Sequence, residues 1–248
     1  MGLIDRKAAK IGLRTLHSDD IFVVSFPKSG NTWVRFLLAN MIKGNGEVTF
    51  LTINDYVPGI YNFKGKINKK KSGRFIKTHD YFFDCYPKSI YIYRDYRDVV
   101  ISYYHYLKGH NQFRGSLSEF IRSDQLKTDF GTWEEHVSAA INFRNEFPQR
   151  ILFVGFDELK HAPEKTVKRM AEFCRLSLKQ SPEEIVQQCT FENLKETEET
   201  HGRVFNNSNV NFFRSGQSEQ WKTELNTDDL EVLMTDEVKT LLEELKKC

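Results

Sequence analysis

The segment IFVVSFPKSGNTW, residues 21–33, constrains the fold of this chain more than any other feature. Residues 21–26 form a short apolar run in which Ser25 is the one polar residue, which is typical of a short strand buried on both faces of a sheet. The turn-forming residues 27–31 interrupt that run, and residues 32–43 then place apolar side chains at helical spacing up to Gly44. A strand, a polar turn and a helix in this order are the first half of a βαβ unit.

The rest of the chain continues this alternation of short strands and helices. Further strands are predicted at residues 74–78, 89–93 and 150–156, and helices at residues 98–108, 133–147, 163–175, from 181 and from 227 to the C-terminus. We expect residues 60–74 to be an exposed loop and residues 201–217 to be a loop rich in Asn and Gly. The pattern predicts an α/β fold with a mainly parallel central sheet flanked by helices, and ligands at the carboxyl ends of the strands. A length of 248 residues suits a single domain over residues 1–248.

Composition and charge narrow the possible functions. A formal net charge of +2 is too small to attract nucleic acid by a global field, so no nucleic-acid partner is expected. No apolar run approaches the roughly 18 residues that span a bilayer, so no membrane partner is expected. The first ten residues lack the apolar core of a signal peptide, and the four cysteines lack the spacing of a zinc site or a disulfide framework. These features predict a cytoplasmic protein in a reducing compartment.

The turn between the first strand and helix has the chemistry of an anion site. The unpaired backbone N–H groups at a helix N-terminus attract a negative charge, and Lys28 adds a full positive charge there. Ser29 and Thr32 offer hydroxyl donors. Because Lys28 precedes Gly30, the segment lacks the GxxxxGK[ST] order of the loop that binds nucleoside triphosphates with magnesium.

Four segments in order along the chain resemble the cytosolic-type PAPS-dependent sulfotransferases. They are FPKSGNTW at residues 26–33, FIKTH at residues 75–79, YIYRDYRDVVISYYH at residues 91–105, and FRSG followed by WK within residues 213–222. The resemblance implies a P-loop-like phosphosulfate-binding loop at residues 26–33. It also implies transfer of the sulfuryl group of PAPS (3′-phosphoadenosine-5′-phosphosulfate) to a hydroxyl or amine of a small-molecule acceptor, without a metal.

The resemblance implies a role for each catalytic candidate. His79 is the expected general base, since its unperturbed pKa suits proton transfer near neutral pH. Lys28 is the expected cation at the bridging oxygen that leaves with the 5′-phosphate, and Lys77 is a second cation beside the transferring group. The remaining histidines are expected to be structural or on the surface.

The cofactor site is implied in the same way. Arg94 and Arg214 are expected to hold the 3′-phosphate, and Trp33 and Phe191 to sandwich adenine. The cofactor-binding candidates are Lys28, Ser29, Gly30, Asn31, Thr32, Trp33, Arg94, Ser102, Phe191, Arg214 and Gly216.

Several positions depart from the family pattern. Phe156 stands where the family has a Tyr that reaches adenine, and Ser215 replaces a Lys beside Arg214. The family's C-terminal dimer motif lacks its Thr-Val pair here, which leaves the oligomeric state open.

The segment after His79 is polar and aromatic where the family is apolar. Asp80, Tyr81 and Phe82 are therefore candidate acceptor-binding residues, and Asp80 would suit a polar or cationic acceptor. The alternative is that the aspartates of this segment cap turns or pair with Arg74 or Lys88.

Two other functions compete with sulfuryl transfer. A P-loop nucleotide kinase would need the GK[ST] order, which this loop lacks. A catalytically inactive module that binds PAP (3′-phosphoadenosine-5′-phosphate) would keep the fold without the chemistry, but Lys28 and His79 are both present.

Overall fold

Four parallel strands form the central sheet, in the order β2-β1-β3-β4. They are β1 (Ile21–Ser25), β2 (Phe75–Thr78), β3 (Lys88–Tyr93) and β4 (Ile151–Gly155). The structure is a computed structural model that describes residues 3–44, 46–70, 72–201 and 213–248. The predicted parallel sheet is confirmed, and in it Val24 of β1 lies opposite Thr78 of β2 and Tyr91 of β3. Residues 202–212 of the loop predicted at 201–217, and Lys71, lie outside the described residues.

Helices cover both faces of the sheet, and short polar caps fix where several of them begin. Ser116, Thr132 and Ser181 each form a capping box with the glutamate three residues later. The helices are α1 (Leu3–Lys10), α2 (Asn31–Lys43), α3 (Ile53–Tyr56), α4 (Ile60–Lys69), α5 (Tyr96–Gly109), α6 (Leu117–Ile121), α7 (Trp133–Glu146), α8 (Phe156–His161), α9 (Pro163–Cys174), α10 (Pro182–Gln188), α11 (Phe191–His201), α12 (Trp221–Glu224), α13 (Thr227–Leu233) and α14 (Asp236–Leu245).

The side chains of the strands divide the core into two halves, because successive residues of a strand point to opposite faces. Phe22 and Val24 of β1 pack on the side that holds α5, α7 and α14, and Val23 packs on the side that holds α2, α9 and α10. None of the described helices is long and apolar enough to cross a membrane.

The prediction of an exposed loop at residues 60–74 is wrong over its first ten residues, which form α4. Ile60 and Ile67 are seven positions apart and both buried, so they share one face of the helix. The many lysines and a glycine of this segment cover its exposed face and obscured the helical pattern.

The single helix predicted from residue 227 to the C-terminus is also wrong, because the chain forms two helices there. α13 ends at Leu233, and α14 begins after Thr235, whose side chain accepts a hydrogen bond from the Val238 N–H. Thr235 is thus an N-cap that interrupts an otherwise continuous apolar pattern.

Candidate active site

Three of the predicted site residues follow the carboxyl ends of strands, and they line a cavity of about 780 Å³. Lys28 lies in the loop after β1, His79 directly follows β2, and Arg94 directly follows β3. The strand order reverses direction between β1 and β3, which is where open α/β sheets form ligand crevices.

The loop after β1 is shaped by left-handed backbone at two positions. Lys28 has φ of 69° and Gly30 has φ of 103°. A Cβ atom at Gly30 would lie 2.8 Å from the ring of Phe156, so glycine is required both by backbone and by space. This conformation turns the chain from β1 into the N-terminus of α2, where Gly30, Asn31 and Thr32 line the cavity; a helix N-terminus in such a position favours an anion.

Polar side chains in this loop are buried with unused hydrogen-bonding capacity. The Asn31 amide donates to Ser25 Oγ at 3.1 Å and to Val23 O at 3.3 Å. Within the described part of the chain, Ser29 Oγ and Asn31 Oδ1 are buried and have no hydrogen-bond partner. Leaving such groups unpaired costs about 1–3 kcal/mol each. Asn31 lines the cavity, where a ligand could supply a partner, whereas Ser29 is not among the described lining residues.

One ring nitrogen of His79 is used in a hydrogen bond to the backbone. Its Nδ1 lies 2.7 Å from the backbone oxygen of Ser25, and since a carbonyl only accepts, Nδ1 carries the proton and donates. Nε2 is then the nitrogen that can take a proton. Burial, followed by the charge of nearby Lys77, lowers the pKa of His79 well below its usual 6.5. The ring is therefore neutral at neutral pH, as a general base must be.

Lys77 and Lys28 both line the cavity, and the charge of each helps to lower the pKa of His79. Burial, with Arg35 nearby, lowers the pKa of Lys77 to about 7. Burial, with Arg94 and Arg214 nearby, lowers the pKa of Lys28 to about 8. Lys28 Nζ also lies 4.3 Å from the ring centroid of Tyr106. These crowded cations favour a strongly anionic ligand, which would raise both pKa values.

The two residues expected at a 3′-phosphate, Arg94 and Arg214, both line the cavity and lie close enough to interact electrostatically. The Arg94 guanidinium lies over the Phe156 ring, 4.2 Å from its centroid, and donates to Gln217 O at 2.6 Å. Its Nε is buried and lacks a partner among the described residues. Asp98 is 3.7 Å from Arg94 and accepts from the Glu219 N–H at 2.7 Å, which ties the C-terminal segment to α5. The Arg214 side chain donates to Gln220.

Aromatic rings line the end of the cavity beside α2. Trp33 donates from Nε1 to Cys189 O at 2.9 Å and meets Phe156 edge to face at 5.7 Å. Phe191 packs so closely on Gly216 that a Cβ there would lie 2.5 Å from its ring. The Phe156 ring also lies against the Arg94 guanidinium. The other cofactor candidates that line the cavity are Gly30, Asn31, Thr32, Ser102, Arg214 and Gly216.

The three acceptor-binding candidates Asp80, Tyr81 and Phe82 are not among the described residues that line the cavity. The Asp80 carboxylate accepts from the Thr78 hydroxyl at 3.1 Å, Tyr81 packs on the ring of His136, and the Phe82 side chain is exposed. The strand ends at Thr78, and the segment after His79 turns away from the cavity.

The partners expected for the aspartates of this segment also differ. Arg74 forms a buried ion pair with Asp20, and Lys88 donates to Phe173 O at 3.0 Å. Asp84 lies 3.3 Å from Lys10. These bonds leave the carboxylates of Asp80 and Asp84 outside the cavity lining, while the Asp80 N–H donates to the Tyr61 hydroxyl at 3.2 Å.

Aromatic side chains that the sequence did not single out line the cavity beside His79. The Tyr61 hydroxyl accepts from the His79 N–H at 2.7 Å, and its ring lies 5.6 Å from that of Phe130. Tyr103 and Tyr106 also line the cavity. Tyr61 was missed because it lies in α4, a segment predicted to be a loop. In the part of the chain that the structure describes, no cluster of His, Cys, Asp or Glu could hold a metal ion.

Comparison with known proteins gives one consistent result. The family model described as "Sulfotransferase domain" matches residues 18–242. The mouse protein "Sulfotransferase 1 family member D1" is 29% identical over 255 aligned positions, which cover 90% of this chain and 83% of that protein. Mouse "Sulfotransferase 1B1" is 31% identical over 232 positions, covering 82% and 76%. The crystal structure of mouse sulfotransferase SULT7A1 complexed with PAP superposes with a TM-score of 0.68 at 21% identity, covering 94% of this chain and 90% of that one, which shows a shared fold.

Proposed function

The chain belongs to the sulfotransferase domain family, and from that membership we propose that it transfers the sulfuryl group of PAPS to a hydroxyl or amine of a small acceptor, with His79 as general base. The observation that carries the proposal is the protonation and hydrogen bonding of the His79 ring. Its Nδ1 proton is committed to the Ser25 carbonyl, so a neutral ring keeps Nε2 as its proton acceptor. His79 shares the cavity with Lys28 and Lys77.

The proposed reaction is an in-line displacement at sulfur. His79 Nε2 takes the proton of the acceptor hydroxyl as the acceptor oxygen forms its bond to sulfur. The bond between sulfur and the bridging oxygen breaks, and its electron pair leaves on the 5′-phosphate of PAP. The Lys28 ammonium stabilises that growing negative charge, and Lys77 neutralises the transferring group from the same side as the base.

Arg94, Ser102 and Arg214 are the residues proposed to hold the 3′-phosphate of the donor. Arg94 has a buried Nε without a described partner, and a phosphate oxygen would supply one. Trp33 and Phe191 are proposed to hold adenine, with Phe156 placed to support Trp33.

The acceptor is proposed to lie among Tyr61, Tyr103, Tyr106 and Phe130, which line the cavity together with His79. These rings suit a small acceptor with a flat apolar body and one nucleophilic group. A role for Asp80 in binding a cationic acceptor is not supported, because its carboxylate is held by Thr78 outside the lining. The kinase alternative is not favoured, because the loop has the lysine before the glycine.

The test is sulfuryl transfer from PAPS to a library of phenols, alcohols and amines, read by product mass. For an acceptor found this way, His79→Ala should lower kcat by roughly 10²–10⁴-fold, because the acceptor loses its base. PAP affinity, measured by calorimetry, should stay within about threefold, because His79 acts on the acceptor. Wild-type turnover in a folded His79→Ala variant would contradict the role of His79, and transfer to no acceptor would contradict the proposed function.

A further inference from the structure

The backbone of His79 is held on both sides by side chains from other elements. Its N–H donates to the Tyr61 hydroxyl at 2.7 Å. Its carbonyl oxygen lies 2.9 Å from Nε2 of His136, a residue of α7. Because a carbonyl can only accept, Nε2 of His136 carries a proton and donates it.

The other nitrogen of His136 fixes that proton in place. His136 Nδ1 lies 2.9 Å from the hydroxyl of Tyr91 on β3. Burial lowers the pKa of His136 to about 4, so the ring is neutral and carries one proton. With that proton on Nε2, Nδ1 must accept, and the Tyr91 hydroxyl donates to it. His136 and Tyr91 are both buried, at 0% and 1% exposure, which excludes competing water.

We propose that His136, set in its tautomer by Tyr91, is a positioning residue that aims the imidazole of His79. This inference rests on the proposed function of His79 as the base. The hydrogen bond from His136 holds the backbone carbonyl of His79, just after β2. The hydrogen bond from His79 Nδ1 to the Ser25 carbonyl holds its imidazole ring. Together they leave Nε2 as the ring nitrogen available for proton transfer in the cavity, which His79 lines.

The recipient of the bond distinguishes His136 from an ordinary buried histidine. A buried histidine needs partners for both nitrogens wherever it lies. Here the partner is the carbonyl of the catalytic candidate itself, and His136 is not among the described residues that line the cavity. Its loss should therefore change how His79 is aimed, and leave the surfaces that bind PAP and acceptor in place.

The experiment compares His136→Leu, which removes the donor, with His136→Gln, whose amide N–H can reach the same carbonyl. Tyr91→Phe removes the bond that sets the tautomer, and His161→Leu makes the leucine change at an exposed histidine as control. Each protein is assayed for kcat per PAP-binding site, acceptor KM, PAP affinity, and the tautomer of His79 in long-range ¹H–¹⁵N spectra.

We expect His136→Leu to lower kcat per site by about 10–100-fold, the scale at which a small misplacement of a catalytic group acts. Acceptor KM and PAP affinity should stay within about twofold, and the Nδ1–H signature of His79 should give way to a mixture of tautomers. His136→Gln should recover most of the rate, and Tyr91→Phe should show a smaller loss in the same direction. The His161→Leu control should match the wild type.

An unchanged kcat per site together with an unchanged His79 spectrum in His136→Leu would overturn the proposal. If that variant fails to fold, Tyr91→Phe decides, and wild-type rate and spectrum there would overturn it equally. The spectra separate this proposal from the proposed function. A protein that sulfates nothing would refute His79 as a base, while the His136 variants would still report whether His79 is aimed as inferred.

Discussion

Lys28 is the residue whose charge state should control cofactor binding. Burial and two neighbouring guanidinium groups, of Arg94 and Arg214, lower its pKa to about 8 in the free protein. Bound PAP would raise that pKa, because its 5′-phosphate favours the charged form. By linkage, the contribution of Lys28 to PAP affinity is full below pH 8, where Lys28 is already charged, and falls as pH rises through 8 by at most about tenfold per pH unit.

Calorimetric titrations with PAP between pH 7 and 9.5 measure this effect. The ligand does not change charge there, since the second pKa of a phosphate monoester is about 6. Lys28→Met should bind weakly and lose the slope above pH 8. Lys77→Met should remove only the part of the slope near pH 7, where the pKa of Lys77 lies. A wild-type affinity that is flat across this range would contradict the assigned charge states.

Among the elements, the turn from β1 to α2 depends on Gly30. Any side chain at φ of 103° is strained, and a Cβ would lie 2.8 Å from the ring of Phe156, on which Arg94 stacks. Gly30→Ala should therefore destabilise the fold by about 1–2 kcal/mol. It should also weaken PAP binding by about tenfold or more, because Phe156 and Arg94 must shift.

Gly65→Ala is the matched control, because a Cβ there meets nothing within 4 Å and the residue lies inside α4. That variant should gain about 0.5–1 kcal/mol from the better helix former and bind PAP as the wild type does. Urea unfolding and calorimetry measure both effects. Equal stability losses in the two variants would show that the turn does not require glycine.

The elements that the sequence predicted are those whose local pattern and tertiary role agree. β1 and α2 have a mostly apolar run, a turn and a helical repeat, so the strand, the helix and the turn between them were predicted. The helix α4 was not predicted because its apolar face is narrow, with Ile60 and Ile67 on one side of the helix and lysines on the other. Tyr61 was therefore not identified as a site residue, and the residue that it contacts, His79, is 18 positions away in the sequence. The hydrogen bond from His136 to His79 joins residues that are 57 positions apart. The apolar pattern of a helix shows which of its faces is buried, but it does not show which carbonyl a side chain on that face reaches.

The misplaced acceptor segment has a similar cause. Charge and aromaticity made Asp80 and Tyr81 look suited to a binding site, but the strand ends at Thr78 and the chain turns away after His79. The direction of a turn depends on the bonds that hold it, here from Thr78 to Asp80 and from Tyr86 to the Asp80 carbonyl. Those bonds cannot be deduced from residue type.

Across the whole molecule, the proposed cofactor site joins parts of the chain that are far apart in sequence. Lys28 follows the first strand, Arg94 the third, and Arg214 belongs to the C-terminal segment, which Asp98 holds to α5 through two backbone N–H groups. A ligand that spans these parts stabilises the entire fold, because unfolding any one of them releases it. AMP lacks the 3′-phosphate and should engage neither Arg94 nor Arg214.

PAP, in the presence of EDTA, should therefore raise the melting temperature far more than AMP at equal concentration. At about one hundred times its Kd, PAP should contribute about 2.7 kcal/mol, which corresponds to roughly 5–10 °C for a chain of this size. Arg94→Ala should weaken PAP binding by about 1.5–3 kcal/mol, the scale of a charge-assisted bond, and reduce the PAP shift toward that of AMP. Thermal unfolding of the wild type and Arg94→Ala with each nucleotide measures this. Equal shifts with PAP and AMP in the wild type would remove the basis for a 3′-phosphate site, since the only group that distinguishes the two ligands would then contribute nothing.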